Sequence, residues 1–280
     1  MNPAKVEIQK RDDLKDFVPL IDFEEAGEDF LQEIEEESEE VFALVSGDAV
    51  IGIAYMENDD EPHLSLYVFK EHRNKGYGTA ALKQIEQKYI ASSAKKITAI
   101  YAFNNDNAER FLLKNGYAFT WASTLMKYEG DKFEEPDLPI RQYRDEDFDE
   151  AFRLSAEAFH RMRVGAGCFP DSVVATPRED TRERWLRWAK EKYVIQMGEE
   201  IVGYANLDEE ELSSVSIKIS HQGKGLGKQF VKYLTNRLID RGADEPALWC
   251  VVGNENARHI YESLGYKEVF TQGFAEKKLS

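Results

Sequence analysis

The chain has 280 residues, 42% of them hydrophobic and 12% aromatic, which is more apolar material than one core of ordinary size accommodates and enough for two. A net charge of −17 excludes a nucleic-acid partner held by bulk positive charge. No run approaches the roughly 18 to 20 apolar residues of a membrane span, and no apolar stretch follows the basic residues of MNPAKVEIQK, so a cytoplasmic protein without a membrane partner is expected.

The charge is uneven: residues 1–136 carry 15 Lys+Arg against 28 Asp+Glu, and from Asp16 to Phe69 there are 17 acids and no Lys or Arg. A solvated helix face accounts for such a run, and an acidic groove or docking surface is the other explanation. Only Cys168 and Cys250 are present, far apart and without His or Cys at ligand spacing, so neither a disulfide framework nor a metal site is expected.

In chain order, alternation predicts a strand near Val6–Ile8, then acid-rich helical segments to about Glu40. Strands follow at Val41–Val45 and Val50–Tyr55 around the turn Ser46-Gly47-Asp48, and at Leu64–Phe69. A helix opening near Gly76-Tyr77-Gly78 places Ala81, Leu82, Ile85 and Tyr89 on one face. A strand at Ile97–Phe103, a helix at Asn107–Lys114 and strands to Tyr128 complete the series. The polar, proline-containing stretch 131–139 then reads as a linker, and the whole series recurs from Ile140 to Lys278.

The recurrence is a true internal repeat. LSLYVFKEHRNKGYGTAAL from Leu64 matches SSVSIKISHQGKGLGKQFV from Ser213, and NDNAERFLLKNGY from Asn105 matches NENARHIYESLGY from Asn254, both at an offset of 149. FALVSGDAVIGIAY from Phe42 matches YVIQMGEEIVGYAN from Tyr193 at 151. Domains at 1–130 and 140–280 follow, the second with about 17 extra residues between its first two strands. That insert, His160–Lys192, carries eight Lys+Arg against five Asp+Glu, together with Phe169, Trp185 and Trp188. Its bases either dock on the acidic first copy or recognise an anionic group. The helical spacing of its tryptophans favours core or interface roles.

Each copy has a strand, a glycine-rich turn and an amphipathic helix, the physical form of an anion site. The turns are Arg73-Asn74-Lys75-Gly76-Tyr77-Gly78-Thr79 and Gln222-Gly223-Lys224-Gly225-Leu226-Gly227-Lys228. With these motifs the sequence resembles the GNAT family of acyl-CoA-dependent N-acetyltransferases, whose pattern is Gln/Arg-x-x-Gly-x-Gly/Ala after the fourth strand. The resemblance implies two tandem α/β folds, each a mostly antiparallel sheet of six or seven strands flanked by helices. It implies acetyl-CoA as cofactor, with its pyrophosphate at those turns and its pantetheine along Leu66, Tyr67 and Val68 or Val215, Ser216 and Ile217. Asn105 and Asn254 match the family's pantetheine-contacting asparagine.

By the same resemblance Tyr261, seven residues after Asn254, matches the general acid that protonates the leaving thiolate, where the first copy has Leu112. Glu211, eleven residues before Gln222, matches the general base, where the first copy has Pro62. Each has a plainer alternative: Tyr261 as a core aromatic, Glu211 as the solvated end of the acidic turn Asp208–Glu211. Both losses fall in the first copy, which implies chemistry in the second. A tandem with an active C-terminal copy is similar in architecture to mycothiol synthases. A small-molecule amine ranks first as acceptor, ahead of a protein amino group and an aminoglycoside. A non-catalytic acyl-CoA sensor or partner-binding protein is the alternative, and oligomeric state is left open.

Overall fold

The computed structural model describes residues 5–59, 61–167, 169 and 172–279; Cys168 lies outside them. The chain forms two compact units, residues 1–122 with 270–280 and residues 123–269. In the first, strands β1 (Glu7–Gln9), β2 (Val41–Ser46), β3 (Ala49–Met56), β4 (His63–Val68) and β5 (Lys96–Ala102) lie side by side in that order. Helices α1 (Phe23–Ala26), α2 (Glu28–Glu35), α3 (Tyr77–Ala91) and α4 (Asp106–Lys114) connect them, and β6 (Ala118–Lys127) follows. The second unit repeats the series with β7 (Ile140–Gln142), α5 (Phe148–Ala166), α6 (Thr181–Arg187), β8 (Lys192–Met197), β9 (Glu200–Asp208) and β10 (Glu211–Ile217). It continues through α7 (Leu226–Arg241), β11 (Ala247–Val251), α8 (Glu255–Leu264) and β12 (Lys267–Lys278). Within each unit the described pairs are antiparallel except for β4 with β5 and β10 with β11. The expected class, mostly antiparallel sheets flanked by helices, is what forms.

The units are not the contiguous stretches 1–130 and 140–280, because the last strands are exchanged. Ser123–Lys127 of β6 pair with β11, inside the second unit. Gln272–Lys278 of β12 pair with β5, inside the first, where Lys277 Nζ reaches Glu86 Oε1 (2.9 Å) and Asn115 O (2.9 Å) and Phe274 stacks on Trp121 at 3.9 Å. Both strands follow a Gly-Tyr turn at the same spacing, so local sequence does not say which sheet receives which. The stretch 131–139 carries no regular structure, but it is strapped to α7: Asn236 holds both the N–H and the carbonyl of Phe133 (2.8 and 2.9 Å), and Arg237 pairs with Glu135.

Helix α3 buries Ala81, Leu82, Ile85 and Tyr89, the face set by their spacing. Helix α7 likewise buries Phe230, Val231, Leu234 and Leu238, and ends at Gly242 with φ 102°. The acid-rich segment is helical for a shorter distance than expected. It is interrupted at Gly27 and ends at Glu35, with Glu37 left-handed (φ 57°), since like charges four apart and no base in the last turn oppose propagation.

Asp147, 5% exposed, anchors the entry to α5. It takes two hydrogen bonds from Arg141 (2.7 Å each) and one from the Arg144 N–H (2.8 Å). Burial alone raises its pKa, but these bonds outweigh burial and hold the carboxyl below the usual aspartate range. A depressed folded pKa means stabilisation present above the unfolded pKa and lost as pH falls through the folded one. Arg141→Met, which strands the buried carboxylate, is expected to cost about 3 kcal/mol in urea unfolding at neutral pH. The deficit should shrink below about pH 4, where the carboxylate of the variant is protonated.

Candidate active site

In both units the parallel pair touches only at its start. His63 faces Thr98 and Leu64 faces Ala99 in the first unit; Glu211 faces Ala247 and Leu212 faces Leu248 in the second. Beyond those residues β4 and β10 have a strand partner on one side only, and each runs into its glycine turn. Backbone N–H and C=O groups along such an edge are available to an extended ligand.

The two turns have one backbone conformation. Asn74 (φ 61°) and Gly223 (φ 74°) are left-handed, as are Gly76 (φ 85°) and Gly225 (φ 81°), each of which caps the following helix. The first residue of each motif folds back to the end of its strand: Arg73 Nε donates to Val68 O (2.8 Å) and Gln222 Nε2 to Ile217 O (3.0 Å). Arg73 and Gln222 therefore shape the turn rather than face its opening. Nothing lies within 4 Å of a Cβ built on Gly223 or Gly225, so the turn in the second unit opens on free space, with Lys224 exposed beside it. A diphosphate fits there, on backbone N–H groups at a helix start. Gly78 is different in kind, since its Cβ would meet the Phe111 ring at 3.3 Å.

Two of the bases flanking the first turn are paired with acids. Glu25 pairs with Arg73 through two hydrogen bonds (3.0 and 2.7 Å) and accepts from the Tyr67 hydroxyl (3.0 Å), which itself accepts from the Asp22 N–H (3.0 Å). Lys70 pairs with Asp22 (2.9 Å). Arg73 holds the Glu25 carboxyl below the usual range. Tyr67 thus belongs to the α1 contact, while Leu66 and Val68 pack on the core, leaving only backbone to meet a ligand.

Strand β10 differs from β4 in one respect. β4 pairs with β3 without interruption from Leu64 to Val68. On β10, Ser213 faces Asn206 and Ser216 faces Tyr204, so Ser214 and Val215 together oppose Ala205, with Ser214 at φ 56°. This is a β-bulge, which re-aims N–H groups and is common beside active sites. It also corrects a correspondence. Thr98 and Ala247 are equivalent at an offset of 149, so the residue equivalent to Glu211 is His63, not Pro62, the extra residue being taken up in the bulge. His63 Nδ1 lies 2.6 Å from Glu57 Oε2. Ser216 is buried and donates to Ser214 O (3.0 Å), Val215 packs on the core, and Ile217 is part of it.

Asn105 and Asn254 both cap helices. Asn105 Oδ1 accepts from the Asn107 and Ala108 N–H groups (3.1 and 3.2 Å), and Asn254 Oδ1 from Ala257 N–H (3.5 Å), which leaves each Nδ2 to donate elsewhere. Tyr261, on α8, lies half-buried against the core with its ring 6.1 Å from that of Tyr266. Burial, followed by Cys250 and Tyr266, raises its pKa above the usual tyrosine range, so its hydroxyl stays protonated. No hydrogen bond from that hydroxyl is found among the described residues, whereas Tyr266 is bonded to Thr235 Oγ1 at 2.7 Å. At the equivalent position Leu112 is buried in the first unit's core. Glu211 opens β10, facing Asp208 across the turn.

Trp185 belongs to the cluster under α5, stacked 4.5 Å from Tyr204, while Trp188 is exposed. Where α5 meets Ile219, three residues before Gln222, an open cavity of about 330 Å³ is lined by Glu157, His160, Arg161, Val164, Val174 and Ile219. Among the described residues no group of three or more His, Cys, Asp or Glu side chains could hold a metal ion, and no helix is long and apolar enough to cross a membrane.

A splayed parallel pair feeding a glycine turn and a helix is present twice, and the comparisons with known proteins assign this arrangement to acyltransferases that use an acyl-coenzyme A donor. Residues 9–117 match the family model described as the acetyltransferase (GNAT) family, and residues 194–275 match that of the FR47-like protein. Residues 9–117 therefore carry a GNAT acetyltransferase domain and residues 194–275 an FR47-like domain, and the chain is built as a tandem of two GNAT-like folds. No curated protein matches it in sequence. A GCN5-related N-acetyltransferase from Sphaerobacter thermophilus is similar over 100% of this chain and 97% of its own, with TM-score 0.70 and 16% identity. A tandem GNAT protein of the clavulanic acid biosynthesis pathway is similar over 99% of both chains, with TM-score 0.58 and 12% identity. A glucosamine N-acetyltransferase region of a fungal multi-domain β-N-acetylglucosaminidase covers 99% of this chain and 38% of its own, with TM-score 0.61 and 14% identity.

Proposed function

We propose that the protein transfers an acetyl group from acetyl-CoA to a primary amine of a small molecule, and that the reaction takes place in the second unit. The observation that carries this is the bulge at Ser214–Val215, which β10 has and β4 lacks, on the strand that leads into the open turn at Gly223–Gly225. Acetyl-CoA, when bound, supplies an activated thioester. The turn residues 223–228 would hold its diphosphate, and the free edge of β10 its pantetheine.

The rest is work for this chain's own groups. N–H groups released at the bulge are positioned to meet negative charge developing on an acyl oxygen. Tyr261 holds a proton at its hydroxyl for the departing sulfur, and Glu211 accepts one from the amine, directly or through water. The cavity bounded by α5 and Ile219 offers the acceptor an apolar wall with Arg161 at its margin. In the first unit Arg73 and Lys70 are committed to Glu25 and Asp22, and β4 has no bulge, which supports a structural or regulatory part for that turn. A cytoplasmic setting suits the donor.

Free-thiol release from acetyl-CoA should be followed with spermidine, tyramine, glucosamine and a peptide bearing a free N-terminus. Release is expected with at least one of the small amines and not with the peptide alone. Tight binding of coenzyme A with no release in any mixture would make the protein a sensor rather than an enzyme.

A further inference from the structure

The second unit contains a buried lysine that the roles above do not use. Lys192, at the start of β8, is 7% exposed. Its Nζ donates to Asn206 Oδ1 on β9 (3.0 Å) and to Trp188 O (3.4 Å). Asn206 Nδ2 donates in turn to Ser213 Oγ on β10 (3.1 Å). Lys192 faces Asn206 and Asn206 faces Ser213 in the strand registers, so the three form a polar row across the sheet. The row ends at the residue between Glu211–Leu212, where β10 parts from β11, and Ser214, where the bulge begins.

The direction of the row is fixed by chemistry. A lysine ammonium, which has donors and no lone pair, requires the oxygen of the Asn206 amide on its side, which turns the NH₂ group toward Ser213. Ser213 Oγ therefore receives a hydrogen bond from within the protein, its own proton turns toward Asn206 O (3.5 Å), and one lone pair is left. Alternation along β10 puts Leu212 in the core under α7, and Ser213 with Glu211 on the opposite, α5-bearing face.

The duplicated fold supplies its own control. The equivalent row of the first unit is Val41, Tyr55 and Ser65, also in register. There Val41 is buried as an ordinary core residue, and the Tyr55 hydroxyl turns away to Glu40 Oε2 (3.0 Å). The architecture does not need a lysine at this position, and burying one is costly. Burial, against Glu191 and Asp208, also lowers the Lys192 pKa.

We propose that the row Lys192–Asn206–Ser213 orients the acceptor: Ser213 Oγ accepts an N–H of the incoming amine at the bulge, and Lys192 and Asn206 are positioning residues that keep that lone pair free. The proposal rests on the second unit being the acetyl-transferring site. An amine so held has one N–H on Ser213, a second proton directed to Glu211, and its nitrogen lone pair turned to the splayed edge of β10.

The test uses the full chain, acetyl-CoA and the fastest-reacting amine of the panel named above. Lys192→Met and Ser213→Ala are each expected to lower kcat/KM for the amine about tenfold, mainly through its KM. The KM for acetyl-CoA, the affinity for coenzyme A and the urea midpoint should be unchanged or, for Lys192→Met, raised in stability. Ser213→Thr should retain most of the activity, and the double variant should be little worse than Ser213→Ala. Unchanged amine KM in both single variants overturns the proposal, as does a loss shared equally by the KM for acetyl-CoA. Wild-type protein that binds coenzyme A but releases no thiol with any amine overturns the transfer reading, and the row's role falls with it.

Discussion

Gly225→Val is expected to weaken coenzyme A binding by at least about a hundredfold while leaving the protein folded. Gly225 sits at φ 81° at the head of α7, a conformation that a β-branched residue adopts only with strain. Relief of that strain rotates the peptide units of the turn and misdirects the N–H groups that meet the diphosphate. Loss of two charge-assisted hydrogen bonds, at about 1.5 to 3 kcal/mol each, is worth a hundredfold or more. A partner substitution separates this from general damage. Gly223→Asn should bind nearly normally, because Asn74 already holds the same left-handed conformation in the first unit. Calorimetric titration with coenzyme A and circular dichroism on both variants check the pair.

Tyr261→Phe is expected to lower kcat about a hundredfold with no change in coenzyme A affinity. The substitution keeps the ring that packs on the core and removes only the hydroxyl, for which no partner is found among the described residues. Because burial holds that hydroxyl protonated, the wild-type rate should show no alkaline loss from Tyr261 until well above the usual tyrosine range. An alkaline limb that begins near pH 8 and survives in Tyr261→Phe would belong to another group. Leu112→Tyr in the first unit should not create activity, since β4 lacks the bulge.

The two glycine turns and the helices that follow them were legible in the sequence, because they depend on local backbone chemistry that repeats. Two glycine turns at a fixed offset marked where α3 and α7 begin, and the spacing of Ala81, Leu82, Ile85 and Tyr89 predicted which face of α3 is buried. The bulge was not legible. Ser213-Ser214-Val215-Ser216 aligns without a gap to the strand of the first copy, and only the register of β10 against β11 shows that one residue is extra. Three serines in four positions, in a strand where the first copy has Leu64 and Tyr67, were the available signal, since small polar residues are poor strand formers.

The exchange of β6 and β12 escaped for a different reason. Strand pairing is non-local, and both strands carry similar alternation after identical Gly-Tyr turns. The latch of Glu25 on Arg73 lay hidden in an acidic run that otherwise reads as solvated surface, because nothing in the run marks which of its acids meets a base 48 residues away. The row from Lys192 to Ser213 was within reach of sequence reasoning. Lys192 aligns with Val41 at the start of a buried strand, and a charge in place of a core residue is a recognisable anomaly.

The central claim, that acetyl transfer is performed by the second unit and not the first, is tested most directly by matched charge reversals in the two turns. Lys75 and Lys224 occupy equivalent, exposed positions, so Lys75→Glu and Lys224→Glu perturb the two sites alike with little effect on folding. Thiol release from acetyl-CoA should fall by at least about tenfold in kcat/KM for Lys224→Glu, through the KM for acetyl-CoA, and remain at the wild-type level for Lys75→Glu. Loss of activity in Lys75→Glu with Lys224→Glu unaffected would contradict it.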